Sequence, residues 1–169
     1  MDVINRYNRG ELVHADSIHF PDSLKYKTLK KGRIVYGGGG IMPDYFIPLD
    51  TTKYTKYHRE LVAKGIITNT TLRYSDRNRK KILSTYKSFD SFLKNYQVSD
   101  EELEILKEEA EKRSVKPKDE EERNKTLPQL KLQLKALLAR DLWDMSEYFE
   151  VMNQENEAVQ KAVELLEKK

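Results

Sequence analysis

There is no cysteine in this chain. Disulfide frameworks, thiolate zinc sites and cysteine nucleophiles are therefore excluded, while an oxidising compartment remains permitted. Proline is sparse, at five residues, and glycine reaches only seven, yet four of those glycines stand in one run. Neither sign of charge dominates. The 31 basic and 28 acidic residues leave a formal net charge of +3, too small to imply a nucleic-acid or membrane partner. No apolar run approaches the roughly 18–20 residues of a membrane helix, so no membrane span is expected. Met1 to Arg6 lacks an apolar core, so no signal peptide is expected there. A length of 169 residues suits one domain, or a small domain plus a piece of another. Hydrophobic residues (38%) barely exceed charged ones (35%), which favours slender helices with wet faces over one deep core.

What is present is organised around residues 32–44, Gly-Arg-Ile-Val-Tyr-Gly-Gly-Gly-Gly-Ile-Met-Pro-Asp. The β-branched run before Gly37, Gly38, Gly39 and Gly40, and Tyr45-Phe46-Ile47 after them, predict strand, glycine bend, strand. Such a bend lets a neighbouring segment come close, and Gly38 and Gly39 are expected to matter for backbone reasons. A phosphate loop needs Gly-Lys-Ser/Thr after its glycines, and Ile41-Met42-Pro43 stands there instead. A dinucleotide fingerprint needs a helix opening on the last glycine, which Pro43 disfavours.

The same run resembles a sequence found just after the catalytic core of bacterial C-terminal processing (tail-specific) serine peptidases. The shared elements are Gly-Arg, an apolar pair with Tyr, the glycine run, Ile, and the pair Pro43-Asp44. Residues 54–61 (Tyr-Thr-Lys-Tyr-His-Arg-Glu-Leu) and 137–143 (Leu-Leu-Ala-Arg-Asp-Leu-Trp) are similar to the same subgroup. The resemblance implies a parent that hydrolyses peptide bonds of exported, periplasmic proteins. It also implies a PDZ-type domain and a serine–lysine dyad, both expected before Met1. Residues 1–52 would then be the tail end of the α/β catalytic core and 53–169 a helical C-terminal domain. The expected partners are the upstream domains, the parent's polypeptide substrates and further copies of the chain. No nucleic acid, cofactor or metal is expected, and no catalytic residue. The competing reading is a stand-alone helical interaction module without enzymatic activity.

Taken in order, residues 1–10 read as a short helix ending at Gly10 or as a loose end. His14, Asp16 and His19 invite a metal, but their spacing fits no standard zinc pattern, and loop polarity is the plainer account. Residues 24–29 alternate apolar and polar, so with 33–36 and 45–49 about three short strands are expected. From Thr51 the period becomes helical. Tyr54, Tyr57, His58, Leu61 and Val62 form one stripe ending at Gly65. His58 reads as a packed histidine, because no nucleophile is evident beside it. A helix is predicted over 66–86, and its cluster of Arg73, Arg77, Arg79, Lys80 and Lys81 reads as a solvated face rather than a phosphate site. A short helix is predicted over 88–96. Ser99-Asp100-Glu101-Glu102 predicts a capping box, with Val98 and Leu103 as its hydrophobic staple. Residues 115–118 end that helix, and 119–125 read as a linker or solvated first turn. Pro128 is expected at a helix start capped by Thr126. The stripe of Leu130, Leu134, Leu138, Leu142, Met145, Phe149 and Met152 predicts helix packing within the molecule, with a short coiled coil as the alternative.

Two Ser-x-x-Lys matches, Ser84 with Lys87 and Ser91 with Lys94, place an amine one helical turn from a hydroxyl. The accompanying Ser-Asp-Asn and Lys-Thr-Gly elements are absent, and chance matches are expected in so lysine-rich a chain. The fold class expected is mostly α, with a short N-terminal β portion and a multi-helix remainder.

Overall fold

The computed structural model describes residues 2–37 and 45–168. Among these the chain is mostly α-helical, with eight helices and one two-stranded sheet near the N-terminus. It divides into two units, Met1–Thr51 and Thr52–Lys169.

In the first unit α1 (Asp2–Asn8) ends where Gly10 turns left-handed, at φ +78°. Glu11 ties the corner by pairing with Arg6 at 3.0 Å and Arg9 at 2.5 Å. Two 3-10 turns, Ala15–Ser17 and Asp22–Leu24, lead into β1 (Lys25–Lys27). β1 pairs antiparallel with β2 (Ile34–Tyr36) in the register Lys25↔Tyr36, Tyr26↔Val35 and Lys27↔Ile34. Gly32, at φ +60°, closes the turn between them by donating to the Thr28 carbonyl at 3.0 Å. The expected third strand is not formed: 45–49 contains no strand. Pro48 has no amide hydrogen to give a ladder, and Leu49 donates instead to the Leu12 carbonyl at 2.8 Å.

The second unit is a helical assembly around α3 (Ile66–Thr85) and α6 (Glu120–Leu142). α2 (Lys56–Ala63) packs on both, α5 (Asp100–Lys112) on α3, and α7 (Met145–Asn153) on α6. α4 (Phe89–Asn95) brings Phe92 into the core, between Tyr96 at 4.5 Å and Trp143 at 5.1 Å. α8 (Glu157–Glu167) buries none of its residues. Two apolar clusters fill the unit. One centres on Phe92, Leu138 and Val151, the other on Leu61, Ile66 and Leu134. No helix among the described residues is long and apolar enough to cross a membrane.

Local signals set most helix ends. Gly65 lies at φ +64°, after α2 and at the entry of α3. Ser88 accepts from the Ser91 amide and Ser99 from the Glu102 amide, each capping its helix. The far end of α5 closes as a Schellman motif. The Val115 amide bonds the Ala110 carbonyl at 2.9 Å and the Ser114 amide the Glu111 carbonyl at 3.0 Å. Ser114 occupies the left-handed position at φ 54°, where glycine is usual.

Several helical expectations need correction. Pro128 does not start a helix; it lies inside α6, which begins at Glu120 under the Asp119 cap. The early start is held by tertiary contacts. Glu122 accepts from the Lys118 amide at 2.8 Å and from the Tyr57 amide of α2 at 3.0 Å. Thr126 is no cap: its hydroxyl donates to the Glu122 carbonyl at 2.6 Å, which leaves the Thr55 hydroxyl to donate to Thr126 Oγ1 at 2.6 Å. The stripe from Leu130 to Met152 is not one helix. It breaks at Trp143, and Asp144 caps α7 by accepting from the Met145 amide at 2.6 Å. Leu130, Leu134, Leu138 and Leu142 are buried, whereas Met145 and Phe149 face outward. In the capping box Ser99 accepts from the Glu102 amide at 3.2 Å, and Glu102 Oε2 accepts in addition from the Tyr96 hydroxyl at 2.7 Å.

Candidate functional site

Gly37 is described, and it sits at a close approach. Its amide donates to the Leu24 carbonyl at 2.7 Å, and a Cβ there would lie 2.9 Å from Tyr26 Cε2. The glycine thus lets the Tyr26 ring cover the end of β2. Gly38, Gly39, Gly40, Pro43 and Asp44 lie outside the described residues.

Neither serine–lysine pair has the setting of a dyad. A lysine base is activated where water is excluded. Lys87 and Lys94 are exposed, as is Ser84, whose hydroxyl donates to the Lys81 carbonyl at 2.8 Å. Among the described residues no three His, Asp or Glu side chains gather to hold a metal, so His14, Asp16 and His19 do not converge. The basic cluster of α3 is partly spent on structure. Arg73 pairs with Glu109 at 2.5 Å, and Arg79 donates to the Asp141 carbonyl at 2.5 Å.

The arrangement with most chemical content lies where α2 and α7 flank α6. A cavity of about 390 Å³ opens there, lined by Tyr54, His58, Val62, Gln133, Tyr148 and Met152, with Arg59, Ala63 and Gln129 completing it. His58 and Val62 stand one turn apart on α2, and Tyr54 lies just before its Thr55 cap. Gln129 and Gln133 stand one turn apart on α6, beside the buried Leu130 and Leu134. His58 is only 5% exposed, and its Nε2 has no hydrogen-bond partner among the described residues. Burial holds the imidazole below its ordinary value; the Gln133 amide beside it opposes this, and the Arg59 charge adds to it. The Tyr54 ring lies against the imidazole at 4.8 Å. Arg59 is exposed and gives one N–H to the Tyr54 carbonyl at 2.6 Å. Among the described residues, no serine, threonine or lysine lines the cavity.

A second buried polar group stands in the sequence only as a capping residue. Glu102 is fully buried, and its Oε2 accepts from the Tyr96 hydroxyl at 2.7 Å while Oε1 is unpartnered. Burial pushes its carboxyl up to about 7, against the Tyr96 bond and the nearby Ser99 amide. Ser99 donates in turn to the Tyr74 hydroxyl at 3.1 Å. In sequence Glu102 is an ordinary capping-box glutamate, and nothing local says that it is buried. The cavity did leave a trace: two glutamines one turn apart in a leucine-rich helix.

The model of a family of unknown function, DUF8443, matches residues 57–144, just over half of the chain. No curated protein and no solved structure matches it. The matched segment runs from the first turn of α2 through α6 to the Asp144 cap of α7, and so contains His58, Arg59, Gln129 and Gln133. On this match the chain belongs to DUF8443, a family whose function is unknown.

Proposed function

We propose that this chain is the non-catalytic C-terminal region of a serine endopeptidase of the C-terminal processing family. Its helical unit contributes packing, together with regulation or assembly, and the parent enzyme cleaves exported, periplasmic proteins. The observation that carries this reading is the run 32–44 together with the sheet it adjoins. Among the described residues β1 and β2 form a two-stranded ribbon, which is marginal in water by itself. Tyr26, Leu29, Ile34 and Val35 are all exposed on or beside it. A ribbon of that kind suits the edge of a larger sheet supplied by upstream catalytic residues. The exposed settings of Ser84, Lys87 and Lys94 agree with a region that holds no dyad.

The test compares the isolated chain with the polypeptide encoded by its whole reading frame, on an unfolded protein with an apolar C-terminus. The isolated chain is expected to give no turnover, and the whole product to give turnover that depends on an upstream serine and lysine. Turnover by the isolated chain that vanishes in Ser84→Ala or Ser91→Ala overturns the proposal, as does a reading frame without an upstream dyad. The second reading, a stand-alone helical interaction module, draws on α8. That helix leaves Val163 and Leu166 exposed on one face and buries none of its residues.

A further inference from the structure

We propose that α8 is a docking helix, which seats in the groove between α5 and α6 of a second copy of this chain and receives that copy's α8 in exchange. The proposal stands apart from the peptidase reading. α5 and α6 wall a cavity of about 400 Å³. Leu106, Ala110, Val115 and Leu130 make its buried floor, and the half-buried Leu103 and Leu127 stand on opposite walls. The rims are charged, with Asp100, Glu104 and Glu111 along α5 and Arg123 on α6. An apolar trough between two helices, edged by charge, is the kind of surface that an amphipathic helix fills.

α8 has the matching form. Val159, Val163 and Leu166 fall at i, i+4 and i+7 with Ala162 beside them, so they share one face. That face spans about two turns, the same run that separates Leu103 from Ala110 along the groove. No residue of α8 is buried, and Val163 and Leu166 are exposed. Its own groove lies on another side of α6. The chain leaves α7 beside Gln129, whose amide donates to the Glu155 carboxylate at 3.1 Å. Leu127 and Leu130 stand about 100° or more around the α6 axis from Gln129.

Charge selects the occupant and its direction. Lys161 and Lys168 recur at i and i+7 along one flank of α8, and Glu104 and Glu111 recur at i and i+7 along the α5 rim. A helix laid beside α5 in the same direction brings each lysine to a glutamate. Its other flank then carries Glu167 toward Arg123, at the end of the groove where residues 113–119 connect α5 to α6. In the free chain both lysines turn to Glu164 of their own helix, an exposed pairing worth little. In a two-fold dimer the contact forms twice, since each copy offers both a groove and a helix.

The chain has no cysteine, so single-cysteine variants of the full chain report the contact directly. Val163→Cys marks α8, Lys107→Cys marks the α5 wall, and Asp76→Cys on α3 is the control; all three positions are exposed. The first variant is mixed with each of the others and oxidised by air. The disulfide joining positions 163 and 107 should form in about tenfold excess over that joining 163 and 76. Leu166→Glu added to the first variant should remove the excess. In sedimentation, Glu104→Lys with Glu111→Lys should weaken association by about tenfold, and adding Lys161→Glu with Lys168→Glu should restore it. Equal yields of the two disulfides overturn the proposal, as does association indifferent to the first charge reversal. So does a monomeric disulfide in the double variant Val163→Cys with Lys107→Cys, which would put α8 in the groove of its own chain.

Discussion

Two glutamates of the helical unit respond to pH in opposite directions, and the difference is entirely in their surroundings. Glu122 accepts two backbone amides, from Lys118 and from Tyr57, and they hold its carboxyl below the usual range. Its contribution is present above the unfolded value and lost as pH falls through the folded one. Glu102 is the reverse, raised from 4.5 to about 7 by burial. Between those values the folded chain holds a proton that the unfolded chain releases. Stability from this group is therefore present at acid pH and lost as pH rises through about 7. Glu102→Gln keeps an oxygen for the Tyr96 hydroxyl and cannot ionise. It is expected to be close to neutral near pH 5 and to stabilise by up to roughly 3 kcal/mol near pH 8. Urea unfolding at the two pH values checks this, and an equal effect at both would refute it. A third residue, Ser114, sits at φ 54° in the left-handed cap of α5. Ser114→Gly removes the Cβ conflict there and should stabilise by about 0.5–1 kcal/mol in a thermal melt.

At the scale of the element, α6 is the instructive case. A proline in a helix interior removes one bond and presses on the carbonyl four residues back, here that of Asn124. The helix nevertheless begins eight residues earlier, at Glu120. The Glu122–Tyr57 bond and the Thr55–Thr126 hydroxyl pair hold that first stretch against α2. Pro128 is exposed, so Pro128→Ala changes the backbone without disturbing the core. The substitution should raise stability by about 1–3 kcal/mol, read as an upward shift of the urea midpoint with unchanged slope. A fall in stability would mean that the fixed backbone of Pro128 is needed to dock the start of α6. Elsewhere helix ends were legible because their signals are short. Ser88, Ser99 and Gly65 act on groups within four residues.

For the molecule as a whole, the apolar residues left in water set the expectation. In the first unit Leu29 is wholly exposed and Ile34 and Val35 are partly so, on or beside a ribbon that has two strands among the described residues. In the second, Phe149, Val163 and Leu166 stand outward. Unpaired edges and bare apolar residues pair with further copies. The isolated chain is therefore expected to self-associate, with a weight-average mass that rises over a sedimentation concentration series. Val35→Lys, at the ribbon, should lower the association at a given concentration. A strictly monomeric chain would show that these surfaces have no affinity for one another.

The order of amino acids alone determines that this chain is mostly helical with a short N-terminal β portion. Period and capping act over a turn or less, and those interactions exist before any element meets another. Distant partners decided the rest. Pro128 lies within a helix because residues 65 and 71 positions apart bond across α2 and α6. Glu102 accepts from the Tyr96 hydroxyl because the packed fold shuts out the water that a free capping glutamate would keep. The leucine stripe folds back at Trp143 because α7 gains more by packing on α6 than by extending it into solvent. His58 was visible as one member of an aromatic stripe. Its burial beside Gln133, and the cavity it lines, came only when α6 and α7 closed over α2.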